Sequence, residues 1–113
     1  MKLKLALVLC LASCSAQLMA SQADALNATA AQRCVILADY AQDVAEMRDL
    51  GFRLAEIKEI NGERYQNNIL DAHNIAAEMT YRHAELAPKE IRAGLITGCM
   101  ATVNAEALRR SRL

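Results

Sequence analysis

Across residues 30–50 the apolar positions return with the alternating three and four spacing of a helix. Cys34, Leu37, Ala38, Ala41, Val44 and Ala45 fall on one face, with Asp39, Asp43 and Glu46 opposite. Ile36, Tyr40 and Met47 form a second apolar ridge beside the first, so the arc is wider than one neighbouring helix needs. A central helix touching two others accounts for that width. A stripe kept for a partner protein is the sharper reading, and it makes Ile36, Tyr40 and Met47 the candidate partner-binding residues. Thr29-Ala30-Ala31-Gln32 fits a capping box at the start of this helix. Gly51 supplies the left-handed residue that ends it, with Phe52 placed to fold back on Met47.

The pattern then predicts a short helix over residues 53–60, with Leu54, Ile57 and Ile60 near one side, and a turn at Asn61-Gly62. Helical spacing resumes over residues 63–87. Tyr65, Ile69, Ala72, Ala76, Met79 and His83 share one face, and Asn67, Asp71, Asn74, Glu78, Arg82 and Glu85 share the other. Glu78 and Arg82 are ordered for an i,i+4 ion pair. Pro88 suits the first turn of a last helix, where its missing amide costs nothing, and Glu90 suits the positive end of the dipole. That helix should run to Leu108, with Ile91, Leu95, Cys99 and Thr102 facing one way. Beside them Gly94, Gly98, Ala101 and Ala105 form a ladder of small residues, expected to lie close against Ala38, Ala41 and Ala45. Arg109, Arg110 and Arg112 make residues 109–113 a basic tail that complements the helix end.

The N-terminus has a different pattern. Met1-Lys2-Leu3-Lys4 is basic, Leu5 to Ala12 is a short apolar run, and small residues follow, so residues 1–20 read as a secretory signal, too short to span a membrane. Leu11-Ala12-Ser13-Cys14 resembles a bacterial lipobox, which implies cleavage before Cys14 and lipidation of that cysteine. Ordinary cleavage after Ala16 or Ala20 is the alternative. Residues 21–28 are small and polar and form a flexible leader. On either cleavage Cys10 is lost and Cys14 is acylated or lost, so Cys34 and Cys99 remain for a disulfide in an oxidising compartment.

Composition narrows the class. Pro occurs once, Gly four times and Trp never, as expected of an all-α chain. We therefore expect residues 29–108 to form a small helical bundle of three long helices and one short helix, tied by one disulfide. The 13 basic and 13 acidic residues cancel, and removal of Lys2 and Lys4 with the signal leaves the mature chain slightly acidic. That excludes a basic footprint for nucleic acid.

Little chemistry stands out. Met79 and His83 are one turn apart, a spacing at which two side chains can share a soft metal, but a third ligand would have to come from another helix, through Met47 or Met100. His73 lies about 80° further round. Asp71 and His73 face nearly opposite ways and cannot act together, and no glycine-rich phosphate loop follows a strand. The expectation is a protein that is not an enzyme and carries no cofactor.

A signal peptide, a cysteine near the start of a helix ended by Arg48-Asp49-Leu50-Gly51, and a second cysteine in the last helix together resemble small two-cysteine exported proteins of Proteobacteria and their phages. The resemblance carries over no catalytic or binding residue. The function expected is a non-catalytic binding module, membrane-anchored through an acyl group at Cys14 and acting on another envelope protein as immunity, inhibitor or phage-exclusion proteins do. A periplasmic acid-stress chaperone, which shares the plan of a small disulfide-tied helical domain, is the alternative, and an envelope metal carrier comes third.

Overall fold

The computed structural model describes residues 29–112. The signal, Cys14 and the leader lie outside the described residues. Four helices follow one another: α1 Ala30–Asp49, α2 Leu54–Arg64, α3 Asn67–Arg82 and α4 Pro88–Ser111. There is no strand among the described residues, so the chain is an all-α bundle of three longer helices and one short one.

Local chemistry sets both ends of α1. The Gln32 amide donates to Thr29 Oγ1 at 3.2 Å and the Thr29 amide donates to Gln32 Oε1 at 2.9 Å, a closed capping box. At the other end Gly51 takes φ +100°, and the Phe52 and Gly51 amides donate to the carbonyls of Met47 and Arg48, both at 3.0 Å. Those two bonds are the pair of a Schellman motif, and the positive φ is why Gly stands there.

The second turn is not where Asn61-Gly62 suggests. Helix α2 runs through both residues to Arg64. Asn61 is 2 % exposed and its side chain is engaged by two other helices, so it cannot fold onto its own backbone to make a turn. The chain turns at Tyr65-Gln66 instead, with Asn67 in the left-handed region at φ 54°, which Asn tolerates better than most residues. Helix α3 stops at Arg82, short of the predicted Ala87, because Arg48 takes up carbonyls at its end. Pro88 opens α4 as expected, and Glu90 reaches back to the Ala87 amide at 3.4 Å. The helix passes Leu108 and takes Arg109 and Arg110 into its last turn.

Helix α1 lies between α3 and α4, which is why its apolar arc is wide. Ala41 and Ala45 meet Ile91 of α4, with Leu86 and Leu95 packed beside them. Val44 meets Ile57 of α2 and Ala77 of α3, with Tyr40, Met47, Leu54 and Tyr81 at the edges. Alanine makes up most of the first layer and part of the second, so the core buries little apolar area.

Two face assignments change. On α3 the buried stripe is His73, Ala76, Ala77 and Thr80, rotated from the one expected, and Glu78 pairs with Lys58 of α2 at 2.6 Å instead of with Arg82. On α4 the ladder of small residues does not face α1. Gly94, Gly98, Ala101 and Ala105 are exposed, and no other element lies within 4 Å of where a Cβ would stand on either glycine. Ile91, Leu95 and Cys99 make the contact with α1, because they supply the bulk and the sulfur that fill the gap. The ladder lies on an adjacent face and is left bare.

Candidate functional site

Cys34 is fully buried on α1, and its sulfur is bonded to that of Cys99 on α4, with the two Cα atoms 5.6 Å apart and 65 residues between them in sequence. The spacing lies in the middle of the range that a disulfide bridges without moving the backbone. The crossing is antiparallel, so the four residues from Cys34 back to Ala30 run beside α4 only as far as about Val103. Beyond that point α4 continues to Ser111 as an overhang. None of its residues after Cys99 is buried, and Leu108 is 57 % exposed.

The second polar feature is Arg48. Its side chain is 8 % exposed, yet the guanidinium is well supplied with acceptors. Nη1 donates to the carbonyls of Thr80 at 2.8 Å and His83 at 3.2 Å, and Nη2 donates to the Leu86 carbonyl at 2.8 Å. Nε donates to Asp49 Oδ1 at 3.0 Å. One planar fork thus holds the end of α3 and the α3–α4 connection against α1, satisfying carbonyls that a helix end leaves open. The Arg48-Asp49-Leu50-Gly51 run has a structural use. Arg48 follows Ala41, Val44 and Ala45 at helical spacing, and that in-line position was the signal that it points inward.

A third polar group sits where α1, α2 and α3 meet. The Tyr40 hydroxyl donates to Asn61 Oδ1 at 2.8 Å, and Asn61 Nδ2 donates to Asn74 Oδ1 at 3.0 Å. Burial pushes the Tyr40 hydroxyl up to about 12, against the opposing pull of the Asn61 bond, so Tyr40 is the donor at every physiological pH. His73, 3 % exposed, donates from Nδ1 to the Ile69 carbonyl at 2.7 Å. Its ring stacks on Tyr65 with centroids 3.8 Å apart and meets the edge of Tyr40 at 4.6 Å. Burial holds the imidazole below its ordinary range.

The candidate residues from the sequence therefore divide. Tyr40 and Met47 are taken up inside the bundle, Tyr40 by Asn61 and His73 and Met47 by the Val44 layer. Ile36 lines an open cleft between α1 and α3, together with Arg33, Leu37, Asn68, Ile69, Ala72 and His73. Met79 and His83 line a groove between α3 and α4 with Leu86 and Glu90, but His83 Nδ1 is engaged with Glu85 Oε1 at 3.2 Å. Among the described residues no three His, Cys, Asp or Glu side chains gather where they could hold a metal ion.

The chain matches no protein-family model, no curated protein and no solved structure. No helix among the described residues is long and apolar enough to cross a membrane. The disulfide points to an oxidising compartment.

Proposed function

We propose that this protein is a non-catalytic binding module of the bacterial envelope, an exported lipoprotein anchored through Cys14 that acts on another envelope protein, as immunity, inhibitor or phage-exclusion proteins do. The α4 overhang carries the reading. A helix of fewer than about 12–15 residues gains little from its own hydrogen bonds in water, and most helices in proteins are held by a packed face. The overhang has no such packing among the described residues, and it is continuous with the bare ladder of Gly94, Gly98, Ala101 and Ala105. Each glycine inside α4 costs roughly 1 kcal/mol relative to alanine, with no close approach inside the bundle to offset it. Close approach of a partner's backbone offsets it instead. Tethering by the acylated leader raises the effective concentration at the membrane, so a small interface suffices.

The test places a photo-crosslinking residue at Ala101, at Ala105 or, as a control on another face, at Asp71, in the full-length exported protein. Ala101 and Ala105 are expected to give one discrete crosslinked envelope protein, and Asp71 none. Gly98→Leu with Leu108→Glu should abolish the product without lowering the melting temperature, because neither position is packed. Identical products from all three positions, or none from any, would discard the reading.

One observation favours the acid-stress chaperone as a second reading. His73 is buried with its folded-state pKa below the ordinary value near 6.5. The unfolded chain then binds the proton more readily, so stability falls as pH drops from about 6.5 through the lower folded value. Glu78, held below the usual carboxylate range by Lys58, contributes stability that is lost as pH falls further. The disulfide does not titrate and holds α1 to α4 at any pH. A dedicated binder should accordingly show a melting temperature that declines below pH 6.5, less steeply in His73→Gln, while the helical circular dichroism persists at pH 3. Loss of the helical signal at pH 3, together with capture of unfolded clients, would move the assignment to the chaperone.

A further inference from the structure

The bare face of α4 has a second regularity. Gly94, Gly98, Ala101, Ala105, Leu108 and Arg112 recur at steps of four, three, four, three and four residues, the spacing of a helix-pairing seam, and all six are exposed. Bulk along the seam is graded. The glycines stand in its first half, the alanines in the middle, and Leu108 and Arg112 on the overhang. Leu108 is 57 % exposed, and no other element lies within 4 Å of where a Cβ would stand on either glycine. The start of the seam opens into the groove between α3 and α4, where Met79, Leu86, Ile91 and Leu95 give apolar walls and Glu90 stands exposed one turn before Gly94. Such a groove fits a side chain with an apolar stem and a cationic end.

A second copy of α4, laid antiparallel with the two-fold axis at Val103, supplies that side chain. In this register Ala101 faces Ala105 of the second copy and Leu108 sits over its Gly98. The Arg112 stem crosses its Gly94 into the groove, with the guanidinium on its Glu90, and the two-fold repeats every contact. Each glycine thus lies opposite one of the two bulky residues of the seam. A parallel copy would set Leu108 against Leu108 and leave a gap between facing glycines, and a foreign helix need not mirror the grading. The overhang, which has no packed face in its own bundle, gains one on the first half of the other α4. We propose that this protein pairs with a second copy of itself through the α4 seam whenever no partner holds it, so that self-association occludes the docking face. The regulatory role rests on the docking reading, whereas the pairing itself does not.

Sedimentation equilibrium of the purified exported protein, in density-matched detergent, tests the pairing. A concentration-dependent equilibrium between monomer and dimer is expected. Gly98→Leu should weaken it by about tenfold or more, because Leu108 of the second copy loses its gap. Glu90→Arg alone and Arg112→Glu alone each turn attractive pairs into repulsive ones and should weaken it about tenfold. Mixed together, those two variants should form a heterodimer of near-native affinity, since every facing pair is then opposite in sign. All three positions are exposed, and retained helical circular dichroism shows that each variant is folded. A monomer at every concentration, a dimer indifferent to Gly98→Leu, or charge variants that mixing does not restore would overturn the pairing and leave docking to its own crosslinking test. A crosslink in the envelope to nothing but this chain would sink the docking reading and leave the pairing standing.

Discussion

Replacing Cys34 and Cys99 together by alanine is expected to lower the free energy of unfolding by about 4 kcal/mol. The figure is the entropy the unfolded chain regains when a closed loop of about 65 residues opens. It is large because the packing it supplements is thin. Of the nine buried apolar residues among the described residues, five are alanines, and only Val44, Ile57 and Ile91 are larger aliphatic side chains. A chain of this size has a net stability of only about 5–10 kcal/mol. Helix α4 should suffer first, since apart from the disulfide it is held mainly by Ile91, Leu95 and the Asp39–Arg92 pair at the surface. Urea unfolding of the double variant should show a lower midpoint, and reductant should bring the native protein to the same midpoint. Amide exchange should show α4 losing protection before α1 and α3. A midpoint unmoved by both treatments would mean that the bundle holds itself without the bond.

What could be read from the sequence was whatever neighbouring residues decide among themselves. The Thr29–Gln32 box, the left-handed Gly51 and Pro88 at the head of α4 each depend on residues within one turn, and all stand where expected. The cysteine pairing was legible because reading residues 1–20 as a signal left only Cys34 and Cys99 to pair. The misreadings on α2 and α3 share one cause, which is that periodicity counts a polar residue as facing outward. Asn61 faces inward because Tyr40, 21 residues away, donates to it. His73 and Thr80 face inward because each spends a polar hydrogen on the carbonyl four residues before it. Such partners cost nothing in local pattern and leave no trace there. The bare ladder on α4 was misread for another reason. Two adjacent stripes were both plausible against α1, and the bulk of Ile91 and Leu95 decided between them. The cleft was half visible, since Ile36 stood out as a spare apolar residue while the rotation that brings His73 beside it did not.

Arg48→Ala is expected to cost about 3 kcal/mol, the largest loss from any single substitution outside the disulfide. Removing the guanidinium leaves the carbonyls of Thr80, His83 and Leu86 without their donor. Bonds to a charged donor contribute roughly 1.5–3 kcal/mol each, but carbonyls that regain water recover part of that. The charge also sits near the negative ends of α1 and α3, where a cation is favoured. Lysine keeps the charge but offers one compact ammonium in place of a planar fork, so Arg48→Lys should recover less than half of the loss. Asp49→Ala, which removes only a half-exposed ion-pair partner, should cost less than about 0.5 kcal/mol. Denaturant midpoints rank the three variants, and faster amide exchange over residues 83–87 locates the damage at the α3–α4 connection. If lysine restored full stability, charge at the helix ends would suffice and the fork geometry would be incidental. The predicted order, alanine worst, lysine intermediate and Asp49→Ala near native, follows from three carbonyls meeting one guanidinium, because only a donor that reaches several of them at once can fix the end of one helix and the start of the next against a third.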